Sequence, residues 1–152
     1  MAALASTVHA SAVLVGTGAV LIRGPSGSGK SRLALDLIEA GRTGALRLVR
    51  LVGDDRVYLE PAAGRLLVRP AESLAGLIEV RGVGVLRVAH EPIAVVGLVV
   101  DLAAADADRL PDVARRRTSV KGIELPRLAV ASGASALSST LALLNSARDS
   151  WT

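Results

Sequence analysis

Eight consecutive residues, Gly24-Pro25-Ser26-Gly27-Ser28-Gly29-Lys30-Ser31, have the types and spacing of a phosphate-binding loop, G-x-x-x-x-G-K-[ST]. Glycines let such a loop curl until successive backbone N–H groups face an anion. A helix that starts at the end of the loop adds the positive end of its dipole. In that chemistry Lys30 reaches the β- and γ-phosphates of a nucleotide, and the Ser31 hydroxyl ligates Mg²⁺. The lysine is informative because the chain has two, Lys30 and Lys121, against sixteen arginines. A glycine- and serine-rich surface turn would need neither that lysine nor the apolar run Ala19-Val20-Leu21-Ile22 that enters it.

Carboxylates come next. Asp54 lies 24 positions after Lys30, just beyond the apolar stretch 48–52, and Asp55 is its neighbour. The carboxyl end of a strand is where a parallel α/β sheet keeps its ligands. A hydrophobic strand ending in Asp is also a common way to hold a metal or a water. The plain alternative is a polar turn. If Asp54 and Asp55 converge on one site, their like charges should raise the pKa of at least one, and a carboxylate that can hold a proton suits a group that is base in one direction and acid in the other. His9, in an Ala/Val strand upstream of the loop, reads by itself as a half-buried residue whose interest is positional. Glu79 and Arg81 stand among the glycines of 76–86, where backbone approaches a ligand or another segment closely. On spacing alone they read as a cross-strand or surface pair. The run Arg115-Arg116-Arg117 is a solvated basic loop or a docking site for an acidic or phosphorylated partner.

Elements must place these residues. Stretch 7–15, the turn Gly16-Thr17-Gly18 and the run 19–22 predict a hairpin, with His9 in its first strand and the phosphate loop delivered by its second. Residues 30–40 predict a helix with Leu33, Leu37 and Ala40 sharing a face with Ala34 and Ile38, and Gly41 as its stop. A loop over 42–45 and a strand over 48–52 follow. Residues 57–70 predict a hairpin turning at Pro61-Ala62-Ala63-Gly64, and 72–77 a short helical turn. Residues 92–102 predict a central strand ending at Asp101. Residues 103–110 predict a short helix or loop closed by Pro111, and 118–130 a β region turning at Lys121-Gly122, with Pro126 at an edge or bulge. Residues 134–147 predict a helix with Leu137, Leu141 and Leu144 on one face. With no repeat or linker, the expectation is a single domain over 1–152, of α/β class, with a mixed sheet, β-hairpins and a few helices.

Composition narrows the function. The 152 residues are 51% hydrophobic, yet include no Phe, one Tyr and one Trp. A formal charge of +4 invites a nucleic-acid reading. The missing aromatics and the absence of a DNA-binding motif argue against it. Zero cysteines exclude disulfides and thiolate metal sites. No basic residue precedes Arg23, so the charged start of a signal peptide is missing, and the apolar runs are too short or broken to span a bilayer. A cytoplasmic protein without membrane contact is expected.

The motifs together resemble the C-terminal catalytic domain of HPr kinase/phosphorylase, in the short form that lacks the N-terminal domain. The resemblance runs from about His9 to Val130 and rests on four segments: His9, the loop 24–31, Leu51-Val52-Gly53-Asp54-Asp55-Arg56-Val57, and Ile78-Glu79-Val80-Arg81-Gly82-Val83-Gly84. The last looks like the family signature E-[IV]-R-G-[LVI]-G, which ordinary phosphate-loop enzymes lack.

That resemblance implies a domain similar to the nucleotide-binding part of phosphoenolpyruvate carboxykinase, assembled as a homo-hexamer. It implies ATP- and Mg²⁺-dependent phosphorylation of a serine on an HPr-type phosphocarrier of the phosphotransferase system, reversible with inorganic phosphate. Carried over by position, Asp55 accepts the serine proton, Lys30 and the loop hold the phosphates, and Ser31 and Glu79 hold Mg²⁺. His9, Asp54 and Arg109, within Asp108-Arg109-Leu110, complete the catalytic set. One segment departs from the pattern: Leu128-Ala129-Val130-Ala131-Ser132-Gly133-Ala134 has no Arg or Lys where the family keeps a basic segment serving dephosphorylation. The rivals are a small-molecule kinase, whose arginine-rich lid could only be 115–117, and a nucleotide-gated binding module. The latter lacks the N-K-x-D and L-S-G-G patterns of the common switches.

Overall fold

A computed structural model describes residues 6–146. In chain order its elements are β1 (Val8–His9), β2 (Ser11–Val15), β3 (Gly18–Arg23), α1 (Lys30–Arg42), β4 (Val49–Gly53), β5 (Arg56–Ala62), β6 (Arg65–Pro70), β7 (Leu77–Val80), β8 (Gly84–Arg87), β9 (Ala94–Asp101), β10 (Arg117–Val120), β11 (Ile123–Ala129) and α2 (Ala136–Asn145). Among the described residues this makes the expected mixed α/β fold, a nine-stranded sheet with few helices and a separate β7–β8 hairpin.

The centre is β9, the most continuous apolar run. One edge pairs in parallel with β3, from Ala19↔Val96 to Arg23↔Asp101. The other edge is shared: β6 pairs antiparallel at Ala94 and Val95, and β11 runs parallel at Val99, Val100 and Asp101. A strand buried on both faces cannot alternate apolar with polar. Accordingly Ala19 and Leu21 face one core with Val96 and Val99, while Val20 and Ile22 face the other with Leu98 and Val100. The second of these cores lies under α1 and α2. Leu33 and Leu37 of α1 are buried there, each worth about 1.5–3 kcal/mol relative to exposure. The hairpins β5–β6 and β10–β11 supply the opposite core through Val57, Leu59, Leu66, Val68, Val120 and Leu125.

The β2–β3 hairpin forms as expected, with partners from Ser11↔Ile22 to Val15↔Gly18. His9 is not part of it. It belongs to a separate two-residue strand paired with β5, His9↔Arg56, because the chain leaves the β2 ladder at Ala10. The helix does not stop at Gly41 but runs to Arg42. A Cβ on Gly41 would lie 2.7 Å from Val49, so this glycine serves the approach of β4 to the helix rather than its termination. Pro61 and Ala62 are strand residues, and the hairpin turns on Ala63 and Gly64 alone, both at positive φ as a two-residue turn requires. No helix forms over 103–110; the chain crosses in turns before a short 3-10 helix, Val113–Arg116, and Arg117 opens β10. Pro126 marks the point where β11 exchanges β10 for β9, Arg117↔Pro126 preceding Arg127↔Val99. The C-terminal helix begins at Ala136, capped by the Ser135 side chain; Ala147 and Trp151 lie outside the described residues.

Candidate active site

β3, β4 and β9 all point the same way, β4 being antiparallel to β2 as β2 is to β3. Their carboxyl ends therefore meet on one edge of the sheet, the side on which open α/β sheets bind ligands. The phosphate loop leaves β3 there, Asp54 follows β4, and Leu102 follows β9.

The loop is closely built. A Cβ on Gly24 would lie 2.5 Å from Ser28 Oγ and 3.1 Å from Leu102 Cβ, so only glycine fits. Gly27 and Gly29 take φ of +78° and +100°, the left-handed conformation that turns their N–H groups inward. Gly29 is the N-cap of α1 and offers no side-chain cap, which leaves the first-turn N–H groups for an anion. Ser28 Oγ is buried without a hydrogen-bond partner. A buried hydroxyl of this kind calls for a ligand, and these features together fit nucleotide phosphates. Lys30, 9% exposed, donates from Nζ to Gly24 O at 2.8 Å and Pro25 O at 3.1 Å.

Asp54 is the hub. It is 5% exposed and its Oδ1 accepts from Ser31 Oγ and from Ser11 Oγ, each at 2.7 Å. Its Oδ2 accepts the backbone N–H of Glu79 at 3.3 Å. The Ser31–Asp54 contact joins the hydroxyl and carboxylate that hold Mg²⁺ in phosphate-loop enzymes. Among the described residues no group of three or more His, Cys, Asp or Glu side chains could hold a metal. Glu79 reaches this centre through its backbone, and its side chain is exposed. No ion pair joins it to Arg81 among the described residues.

The two aspartates do not converge. Asp55 is exposed, its carboxylate 3.8 Å from Nδ1 of the equally exposed His9. The cause is local backbone. Arg56 N–H bonds to Asp54 O at 2.8 Å, closing a three-residue turn with Asp55 at φ +69° at its centre. For a non-glycine residue this costs on the order of 1–3 kcal/mol and persists only where neighbours fix it. Here they do: Asp55 O accepts from Ala10 N at 3.2 Å, and Asp55 N–H donates to Ser11 Oγ at 3.2 Å. The buried carboxylate thus faces the phosphate loop and the exposed one faces solvent beside His9.

Arg109 is exposed in the loop 103–112, its backbone N–H bonded to Asp108 at 2.8 Å; among the described residues no hydrogen bond or ion pair joins its side chain to the loop 24–31 or to Asp54. Its segment leaves β9 on the site's edge, with Leu102 N–H on Arg23 O. The neighbouring arginines brace this loop. Arg115 reaches Asp108 Oδ2 and Asp106 O, and Arg116 reaches Pro111 O. Arg23 holds Asp101 through two bonds of 2.7 and 2.8 Å, and Arg127 bonds Asp101 and Asp106. Burial works against the Asp101 charge, but the bonds from Arg23 and Arg127 outweigh it and hold the carboxyl below its ordinary range. Arg127 alone does most of the same for Asp106.

Sequence reasoning missed Ser11 and the arginine clamp. A small residue in an Ala/Val strand reads as filler, and only the β2–β4 register brings Ser11 to Asp54. Arg23 and Asp101 each ended a strand, but their pairing needed the β3–β9 register.

A family model described as HPr Serine kinase C-terminal domain matches residues 2–135. The HPr kinase/phosphorylase of Streptococcus thermophilus is 43% identical over 84 residues, 55% of this chain and 25% of that protein. That of Mycoplasma mycoides subsp. mycoides SC is 42% identical over 72 residues, 47% of this chain and 20% of that protein. The match thus covers a quarter or less of these relatives' length. The solved structure of the HPr(Ser) kinase/phosphatase from Coxiella burnetii superposes with a TM-score of 0.73 at 24% identity, covering 91% of this chain and 93% of that one.

Proposed function

The chain belongs to the HPr serine kinase C-terminal domain family, and from that premise we propose that it transfers the γ-phosphoryl group of ATP to a serine of an HPr-type phosphocarrier protein. The observation that carries the reading is the division of labour between adjacent aspartates: Asp54 buried on Ser31, Asp55 exposed beside His9.

In the forward direction the loop 24–31, the first turn of α1 and Lys30 hold the triphosphate. Ser31 and Asp54 would hold Mg²⁺, with the Glu79 carboxylate as a further oxygen donor beside them. Mg²⁺ supplies charge neutralisation on the β- and γ-phosphates. Asp55, at the surface, meets a hydroxyl presented by another protein. It takes the serine proton as the serine oxygen bonds to the γ-phosphorus and the bond from phosphorus to the ADP oxygen breaks. His9 Nδ1 lies 3.8 Å from Asp55 Oδ1, placed to orient that carboxylate. Arg109, assigned by the resemblance, would have to approach from the loop 103–112 to serve the transferring phosphoryl group. Positioning does most of the work in such a transfer.

Reversal by inorganic phosphate has less support. Segment 128–134 is without Arg or Lys, and the adjacent Arg127 is committed to Asp101 and Asp106. A small-molecule kinase would need 115–117 as a mobile lid, whereas Arg115 and Arg116 brace the neighbouring loop. No helix among the described residues is long and apolar enough to cross a membrane. A cytoplasmic location and hexameric assembly are part of the proposal. The test is incubation with ATP, Mg²⁺ and a panel of purified HPr-type carriers, read by intact mass. Gain of one phosphoryl group on a carrier serine supports the reading; ATP turnover with no carrier modified overturns it.

A further inference from the structure

Ser11 is completely buried and its hydroxyl is used twice. It donates to Asp54 Oδ1 at 2.7 Å and accepts the Asp55 N–H at 3.2 Å. The same Asp54 oxygen accepts from Ser31, the first-turn serine of the phosphate loop, at 2.7 Å. One unbroken path of hydrogen bonds therefore runs Ser31, Asp54, Ser11, Asp55 N–H, from the phosphate loop to the residue at φ +69°.

We propose that Ser11 is a positioning residue: it sets the strained turn that presents the Asp55 carboxylate, using Asp54 as its anchor. Three bonds fix Asp55 in a conformation that side-chain-bearing residues avoid. Two are backbone bonds, Arg56 N–H to Asp54 O and Ala10 N–H to Asp55 O. Ser11 supplies the third and is the member whose side chain can be removed. Its bond to Asp54 orients the hydroxyl: with the hydrogen on Asp54 Oδ1, Ser11 Oγ turns its lone pairs toward the Asp55 N–H. The kinetic part of this inference rests on the kinase reading above; the hydrogen-bond part does not.

The experiment compares Ser11→Ala and Ser11→Thr with the unaltered chain, alone and combined with Asp55→Asn. Amide exchange of Asp55 should accelerate in Ser11→Ala and stay slow in Ser11→Thr, which keeps the hydroxyl. Carrier phosphorylation should fall about 10- to 100-fold in Ser11→Ala, as for other groups that orient a reacting residue, with ATP–Mg²⁺ affinity within about twofold. Ser11→Thr should recover most of it. In the Asp55→Asn background Ser11→Ala should cost nothing further. Unchanged Asp55 exchange, or an equal loss with and without Asp55→Asn, overturns the proposal. Should Ser11→Ala fail to fold, Ser11→Cys replaces it under the same criteria. If no carrier is phosphorylated by the unaltered chain, the kinase reading fails, and amide exchange still decides whether Ser11 holds the turn.

Discussion

Arg127 grips Asp106 with both terminal nitrogens, at 2.8 and 2.9 Å, while its Nε bonds Asp101 at 2.6 Å. One side chain from β11 thereby ties the end of β9 to the loop that carries Arg109. Both carboxyls lie below the ordinary value of 3.8, Asp101 against the opposing effect of burial, Asp106 through its bond to Arg127. A carboxyl lowered in the folded state contributes stability that is complete above its unfolded value and is lost as pH falls through its folded one. The loop 103–112 should therefore hold its protection down to about pH 4 and lose it below. Asp106→Asn should loosen the loop already at neutral pH, read as faster trypsin cleavage after Arg109. Equal cleavage rates in both proteins would mean that other contacts hold the loop.

Much of this was legible from the chain. The phosphate loop announced itself because its glycines, lysine and serine act within eight residues, and the strand before it had no polar residue to hide its burial. Asp54 and Asp55 could be placed at a strand end for the same reason. Their separation could not be read, because it depends on a backbone turn at Asp55 that non-glycine residues seldom make. Gly41 misled as a helix stop because closeness to Val49 and chain reversal ask for the same residue. The arginine run looked free in sequence since its acceptors, Asp108, Asp106 O and Pro111 O, lie in a loop with no pattern of its own.

Lys30→Ala should abolish turnover and weaken ATP by about 10- to 100-fold, the range of one strong charge-assisted contact. The fold should survive, since among the described residues Nζ bonds loop carbonyls at Gly24 and Pro25 and no other group. Calorimetric titration with ATP checks the affinity, and thermal melting checks the fold. Undiminished binding would remove the loop from the mechanism.

Glu79 separates backbone from side chain. Glu79→Gln leaves the N–H on Asp54 in place, so metal-free ATP binding should be unchanged. If its carboxylate is a further oxygen donor to Mg²⁺, the Mg²⁺ concentration for half-maximal activity should rise several-fold, roughly as expected for loss of one hard oxygen ligand. A Mg²⁺ titration with no shift would confine Glu79 to its backbone contact.

The paired aspartates give the sharpest contrast. Asp55→Asn removes the proton acceptor and keeps size, turn and exposure. Carrier phosphorylation should fall by about 10²–10⁴, the scale of a positioned acid–base group. ATP–Mg²⁺ affinity should hold, because the group acts in the transition state rather than on the bound nucleotide. Asp54→Asn acts elsewhere. Its carboxylate accepts two serine hydroxyls and an amide while 5% exposed. An amide side chain brings a donor that has to face one of those donors, so the variant should lose stability as well as Mg²⁺ affinity. Thermal melts in the absence of nucleotide and Mg²⁺ titrations in its presence separate the two. Loss of turnover with normal melting and metal binding in Asp54→Asn, beside an active Asp55→Asn, would reverse the roles. Near-normal activity in both variants would reduce the pair to a surface turn and a structural carboxylate.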